Sequence, residues 1–178
     1  MFCDMIRNSK LKMFLAMTLL VLIACVGHAQ EADLVKEGDA MPAFQVLSDK
    51  GETLLSADHL KGKVVLINFF ATWCPPCQKE LAAVQETLWP KYKDNDQFAL
   101  VVVGREHDAA ELAKYNEKKG FTFPLYPDKN RSIYAAFAQS LIPRSYLIDK
   151  EGKIIHATKG YTEEEFAELM RLIEQALR

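Results

Sequence analysis

The stretch Phe69-Phe70-Ala71-Thr72-Trp73-Cys74-Pro75-Pro76-Cys77 decides the fold of this chain. It ends an apolar run, Val64–Phe70, that is typical of a central strand buried on both faces of a sheet. Apolar residues then recur at helical spacing, which predicts a helix that Pro90 ends or kinks. They are Cys77, Leu81, Val84 and Leu88. Two thiols separated by two residues at a strand-to-helix turn can alternate between dithiol and disulfide.

The start of this helix predicts different roles for the two cysteines. Unpaired N–H groups and the partial positive charge of a first helical turn stabilise a thiolate, so we expect Cys74 at the N-cap to be the nucleophile. Cys77, one turn further on, is then the resolving thiol. Pro75 and Pro76 fit the first helical positions but have no N–H to donate to the sulfur. Because a strong oxidant needs a heavily stabilised reduced form, this motif favours a reducing protein.

A Cys-x-x-Cys pair can also be half of a zinc site. A structural zinc ion usually takes four nitrogen or sulfur ligands, often from a second such pair or from paired histidines. The chain has no second pair, and His59, His107 and His156 are scattered along it. The spacing therefore favours a redox pair, with no metal and no cofactor beyond the Cys74–Cys77 disulfide itself.

Glu80 and Pro143 are further candidates, each with two interpretations. Glu80 lies three residues after Cys77 on the same helix face, either as a solvated acid or as the proton acceptor of the resolving thiol. Pro143 either delimits a strand or forms a cis bond with Ile142 in a functional turn. If the strand after it runs antiparallel to Val64–Phe70, Pro143 lies against the cysteines.

Four other residues near the predicted site remain open. Arg105, Glu106 and His107 follow the second buried strand, where they either recognise a partner or are merely solvated. Trp73 either contacts a partner at the surface and shields the thiols or only packs.

The N-terminal 29 residues have the pattern of an export signal. Three basic residues precede the apolar run 13–24, and small residues at 27–29 favour cleavage after Ala29. Alternatively, Leu22-Ile23-Ala24-Cys25 resembles a bacterial lipoprotein box in which Cys25 is lipidated. An uncleaved anchor is disfavoured because the run is short for a membrane span. Each option sends the domain to the bacterial periplasm or cell envelope, where disulfide chemistry is possible.

Composition and length limit the remaining possibilities. The chain has 178 residues and a net charge of −2 without a basic stripe, which suits one globular domain and argues against a nucleic-acid partner. We expect contact with a membrane only through an N-terminal lipid or anchor, and a monomer. The expected boundaries are a signal peptide over 1–29, a tether over 30–40 and a domain over 41–178.

Periodicity along the domain predicts an α/β fold. A hairpin is expected around 44–55, then the strand and helix of the cysteine motif, then a second buried strand at Phe98–Val103. A capping box of Asp108 and Glu111 predicts a helix that stops at Gly120. A short helix at 133–138, a second hairpin around 146–155 and a final helix opened by Thr162 follow. Such an order predicts a three-layer α/β/α sandwich on a mixed sheet.

The sequence resembles the TlpA/ResA type of thioredoxin-like protein, a group of envelope thiol-disulfide oxidoreductases related to the redoxins. The resemblance covers about residues 38–178 and rests on Asn68–Glu80, on Ile142–Asp149 and on Gly152. It implies a thioredoxin fold with an N-terminal β-hairpin and a central insertion, Cys74 as the exposed nucleophile and Pro143 as a cis proline. It also implies that Glu80 is the active-site acid.

Two positions bear on this resemblance. Asn68 stands where cytoplasmic thioredoxins have a buried aspartate, so proton handling falls to Glu80 or water. Arg144 stands where relatives often carry a small residue such as threonine, which leaves partner choice open.

The leading hypothesis is an envelope thiol-disulfide oxidoreductase that reduces disulfides of exported proteins, supplied by an upstream envelope electron donor. Substrates are expected to contact Trp73, Pro75, Pro76, Ile142 and Pro143. The alternatives are a thiol peroxidase of the redoxin group, a metal carrier that uses the cysteine pair with His107, and an interaction module with a structural disulfide. The peroxidase is disfavoured because its Pro-x-x-x-Thr-x-x-Cys pattern is absent.

Overall fold

A computed structural model gives the structure of the protein and describes residues 33–48 and 50–178. The expected signal segment, with both of its cleavage options, lies outside these residues. In the described ranges, no helix has the length and apolar character needed to cross a bilayer.

The strands form a small sheet and a large one. Their bounds are β1 Gln45–Leu47, β2 Thr53–Ser56, β3 Val64–Phe70, β4 Phe98–Arg105, β5 Leu125–Asp128, β6 Arg144–Ile148 and β7 Ile154–Lys159. β1 and β2 pair as the predicted hairpin, and the other five form a mixed sheet in the order β5-β4-β3-β6-β7. β4 runs parallel to β3, whereas β6 runs antiparallel to it. The central position of β3 explains why all seven of its residues are buried.

The helices cover the two faces of the large sheet. Their bounds are α1 Pro75–Ala83, α2 Trp89–Tyr92, α3 Ala109–Lys119, α4 Tyr134–Phe137 and α5 Glu163–Ala176. The predicted capping box is present, since Asp108 accepts the N–H of Glu111 and the side chain of Glu111 accepts the N–H of Asp108. Gly120 ends α3 with a φ of 68°, a left-handed conformation that glycine adopts without a steric penalty.

Two apolar cores lie on opposite faces of β3, because successive residues of a strand point to opposite sides. One core joins Leu66 and Phe70 to α1, α3 and α5. The other joins Ile67 and Phe69 to α4 and the β1–β2 hairpin. The predicted three-layer α/β sandwich on a mixed sheet is therefore confirmed.

Two local features differ from the expectation. Pro90 does not end the helix of the cysteine motif, because α1 continues through a π-helical turn, Val84–Leu88, into α2. Pro90 sits in the first turn of α2, where a missing N–H has little effect. The strand β5 was not predicted, because Pro124 and Pro127 punctuate this part of the sequence. It is an edge strand, where proline is tolerated.

Residues 33–40, the described part of the expected tether, fall in the same compact unit as the rest of the described residues. Gly38 donates its N–H to the carbonyl of Ile154, and Ile154 donates to the carbonyl of Asp39. Those backbone bonds place residues 33–40 beside β7, and polar composition alone gave no signal for them. Residues 30–32 lie outside the described ranges.

Candidate active site

The two cysteines lie where β3 passes into α1. Cys74 is the N-cap of α1, as predicted, and its sulfur accepts the N–H of Cys77 at 3.3 Å. A disulfide joins the pair, with 5.3 Å between the Cα atoms. Cys74 is 4% exposed and Cys77 is fully buried. The resemblance implies an exposed nucleophile, so that expectation is wrong for the disulfide form, although Cys74 is the more accessible of the two.

The loop before β6 closes over Cys74. The Ile142–Pro143 peptide bond is cis, which confirms that prediction. Because β6 is antiparallel to β3, its first residue lies beside the last residues of β3 and next to the cysteine turn. The carbonyl oxygen of Ile142 lies 3.8 Å from Cys74 Sγ. Pro143 is buried, and its carbonyl accepts the N–H of Gly160.

Apolar side chains surround this loop on the surface. Trp73 is 62% exposed and Leu141 is 48% exposed, while Pro75 and Pro76 are also exposed. Large apolar groups that remain accessible next to a reactive group are typical of a contact surface. Ile142 is half-buried and packs against both cores.

Glu80 is buried on the inner side of α1, not solvated. Its Oε1 accepts the hydroxyl of Ser145 at 2.8 Å, and the amide of Asn68 donates to Ser145 Oγ at 2.9 Å. Glu80 Oε2 has no hydrogen-bond partner within the described residues. Asn68 and Ser145 are directly opposite each other in the β3–β6 register. The strand pairing therefore aligns an amide, a hydroxyl and a carboxyl group below the cysteine turn.

Burial of Glu80 changes its acidity. Desolvation raises the pKa of this carboxyl group from 4.5 to about 7, and the hydrogen bond from Ser145 offsets only part of that rise. A carboxyl group with a pKa near neutrality can both accept and return a proton under ordinary conditions. Glu80 also borders a small cavity whose lining includes Gly160, Tyr161 and Thr162.

Arg105 lies beneath Trp73 rather than free at the surface. Its guanidinium carbon is 5.8 Å from the centre of the Trp73 ring and 5.2 Å from that of Tyr134. Glu106 forms an ion pair with it at 3.0 Å. Tyr134 in turn donates its hydroxyl to the carbonyl of Leu141. Arg105 thus connects the tryptophan to the loop that covers Cys74.

Arg144 points away from the cysteines. It is adjacent to Ser145 in β6, so its side chain enters the opposite core. The guanidinium is 2% exposed, pairs with Asp33 at 2.5 Å and donates Nε to the carbonyl of Ser140. Lys159 binds the other oxygen of Asp33 at 2.6 Å. The structure therefore gives Arg144 a role in the attachment of residues 33–40 and gives no support to a surface role in partner choice.

Two features of the site were missed from sequence. The first is Ser145, which joins Asn68 to Glu80. A signal was available, because an antiparallel strand after Pro143 places Ser145 opposite Asn68. The second is the contact that His107 makes: this candidate for partner recognition instead accepts the N–H of Thr72 at 3.1 Å. No local pattern predicts that contact.

The metal-carrier alternative gains no support from the geometry. Within 33–48 and 50–178, no cluster of three or more histidine, cysteine, aspartate or glutamate side chains could hold a metal ion. Both ring nitrogens of His107 already have partners, in Thr72 and Glu111.

Comparisons with known proteins agree with this site. The model of the Redoxin family matches residues 36–173. The thiol-disulfide oxidoreductase ResA of Bacillus thuringiensis subsp. konkukian is 32% identical over 170 residues, which cover 90% of this chain and 95% of the relative. ResA of Bacillus subtilis strain 168 is 32% identical over 165 residues, covering 88% and 89%.

Solved structures show the same fold. A protein from Bacteroides thetaiotaomicron, provisionally described as a protein disulfide isomerase, has a TM-score of 0.76 and 36% identity, covering 83% of this chain and 93% of its own. A thiol:disulfide interchange protein of the thioredoxin family from Chlorobium tepidum has a TM-score of 0.61 and 27% identity, covering 81% and 99%.

These findings define a thioredoxin-like thiol-disulfide oxidoreductase whose redox centre is the Cys74–Cys77 pair itself. The chain belongs to the Redoxin family and is similar to the ResA proteins over most of its length. Proteins of this kind act on cysteine-containing protein substrates.

Proposed function

We propose that the protein reduces disulfides of exported proteins outside the cytoplasm, with Cys74 as nucleophile, Cys77 as resolving thiol and Glu80 as proton acceptor. The observation that carries the proposal is the buried Glu80, which lies on the same helix as Cys77, one that begins at the N-cap Cys74. Its carboxyl group accepts a hydrogen bond from Ser145 of β6. The export signal pattern of the first 29 residues supports the location.

The first step is attack by the Cys74 thiolate on a substrate disulfide. A bond forms between Cys74 Sγ and one substrate sulfur, and the other substrate sulfur leaves as a thiolate that takes a proton from water. The N–H of Cys77, 3.3 Å from Cys74 Sγ, stabilises the thiolate before the attack. Trp73 and the loop at Ile142 are the surfaces that a substrate chain would contact.

In the second step Cys77 resolves the mixed disulfide. Glu80 accepts the Cys77 proton, and the resulting thiolate attacks Cys74 Sγ. The Cys74–Cys77 disulfide forms, and the substrate sulfur leaves as a thiolate and takes up a proton. Two electrons have then passed from the protein dithiol to the substrate, and an envelope electron donor must return them for the next cycle.

The reducing direction is supported by how few groups stabilise the Cys74 sulfur. Pro75 and Pro76 have no N–H, so Cys77 is the residue of the first turn that donates to it. A weakly stabilised thiolate gives a low reduction potential. We expect a potential nearer to that of thioredoxin, about −270 mV, than to that of the periplasmic oxidant DsbA, about −120 mV.

Trapping tests substrate and direction together. Cys77→Ser, expressed in the native envelope, should accumulate mixed disulfides between Cys74 and exported proteins, because the resolving thiol is absent. Cys74→Ser, which retains only the buried Cys77 of the pair, is the matched control and should trap none. A potential near −120 mV, or equal trapping by both variants, would contradict the proposal.

A further inference from the structure

We propose that His107 is a positioning residue for the thiol exchange: its imidazole fixes the Thr72 amide and thereby the backbone that presents Cys74. This inference depends on the exchange activity proposed above. His107 is 8% exposed and lies between β4 and α3, far from the cysteines in sequence. Its Nε2 atom accepts the N–H of Thr72 at 3.1 Å, and the Thr72 hydroxyl oxygen lies 3.3 Å from the same atom.

The hydrogen bonds select one tautomer of the imidazole. The Thr72 amide can only donate, so Nε2 must be the nitrogen without a proton. Nδ1 then carries the proton and donates it to Glu111 Oε2 at 3.3 Å. The same Glu111 oxygen accepts the N–H of Asp108 as part of the α3 capping box. Helix capping and ring orientation are therefore set by one carboxylate.

The backbone of His107 is fixed as well. Its N–H donates to the carbonyl of Gly104 at the end of β4, and its carbonyl accepts the N–H of Asp128 in β5. The imidazole thus extends from a rigid junction of two strands and a helix. A ring held in this way can fix the segment that contacts it.

Thr72 is held from the other side too. Its carbonyl accepts the side-chain amide of Gln78 at 3.0 Å, and Gln78 Oε1 accepts Lys119 Nζ at 2.8 Å. The N–H of Cys74 closes the turn by donation to the carbonyl of Ala71 at 3.1 Å. The short segment between β3 and Cys74 is therefore anchored at both polar groups of the Thr72 backbone.

Such anchoring matters for exchange because attack on a disulfide requires alignment of three sulfur atoms. Small displacements of an attacking group reduce the rate strongly. Cys74 is only 4% exposed, so its sulfur has little freedom to compensate for a shifted backbone. The Thr72 amide is the point where His107, oriented by Glu111 of α3, fixes that backbone.

The test compares three variants of the reduced protein. His107→Phe keeps an aromatic ring of similar size but leaves the Thr72 N–H without an acceptor, and we expect kcat/KM with a disulfide-bonded peptide to fall about tenfold. His107→Gln places an amide oxygen near the former Nε2 and should recover the rate to within about threefold. The nuclear magnetic resonance signal of the Thr72 amide should move in the first variant and return in the second.

The matched control is His59→Phe. His59 also accepts a backbone N–H, that of Ser56 at 3.1 Å, but it does so beside the β1–β2 hairpin. The His59→Phe variant should be less stable to urea than the wild type but should exchange thiols at the wild-type rate. The proposal is overturned if His107→Phe keeps the wild-type rate, if His107→Gln fails to restore it, or if His59→Phe slows exchange equally. Failure of the proposed function is distinguishable, because the wild-type protein itself would then not exchange.

Discussion

Replacement of Glu80 by glutamine should reduce the pH dependence of the free energy of unfolding by an amount that follows from the pKa of Glu80. Burial raises the pKa of Glu80 from 4.5 to about 7. Since one pH unit in a pKa corresponds to about 1.4 kcal/mol, the buried carboxylate is destabilised by about 3 kcal/mol relative to an exposed one. The folded-state pKa lies above the unfolded one, so this contribution favours folding at low pH and is lost as pH rises through about 7.

The assay is urea unfolding of the oxidised protein across this range. Other groups titrate in both proteins, so the difference between Glu80→Gln and wild type isolates the carboxyl group. The reference is the difference in the free energy of unfolding at pH 4.5, a pH equal to the pKa of Glu80 without burial. At about pH 8, this difference should have shifted in favour of the variant by up to about 3 kcal/mol. Glu86→Gln, an exposed acid just after α1, is the control and should show no such trend.

The same variant should separate the two steps of exchange. Attack by Cys74 should proceed normally, but resolution by Cys77 should slow by about a hundredfold, since its proton acceptor is gone. The mixed disulfide should then accumulate in a rapid-quench experiment. A stability difference that is constant with pH, or resolution at the wild-type rate, would refute the assignment of Glu80.

Further predictions concern the surroundings of the cysteines. Ser145→Ala removes the hydroxyl that donates to Glu80, so the pKa of Glu80 should rise further and the midpoint of the pH–rate profile for resolution should move above about 7; an unchanged midpoint would contradict this. Trp73→Ala should lower kcat/KM with a protein disulfide about fivefold but change the rate with a small aromatic disulfide less than about twofold, because we propose that the ring contacts the substrate chain; equal loss with both would count against that role. Arg144→Met removes the buried donor to Asp33 and should lower the free energy of unfolding by about 1–3 kcal/mol in urea; unchanged stability would show that the ion pair does not hold residues 33–40.

The local features of the fold were predictable because their signals are local. The apolar run of β3, the capping box at Asp108 and the glycine at 120 each fix an element within a few residues. The Cys74 N-cap follows from the motif alone. By contrast, β5 is a four-residue edge strand that follows Pro124 and contains Pro127, which conceal it, and its place depends on pairing with β4.

The site was less predictable because its contacts are long-range. Ser145 and Glu80 are 65 residues apart, and His107 and Thr72 are 35 residues apart. The first contact depends on the exact register of β3 against β6. The second requires that the end of β4 lie beside the end of β3, which topology gives, and that the imidazole face Thr72, which no pattern in the sequence specifies.

The most direct test of the central claim is a redox titration that follows Cys74 and Cys77 by alkylation and mass spectrometry of the peptide that carries both. We predict a reversible two-electron transition in which both thiols appear and disappear together, with exchange abolished by Cys74→Ser. A pair that stays bridged under strong reductant, or full exchange activity with serine at position 74, would contradict it.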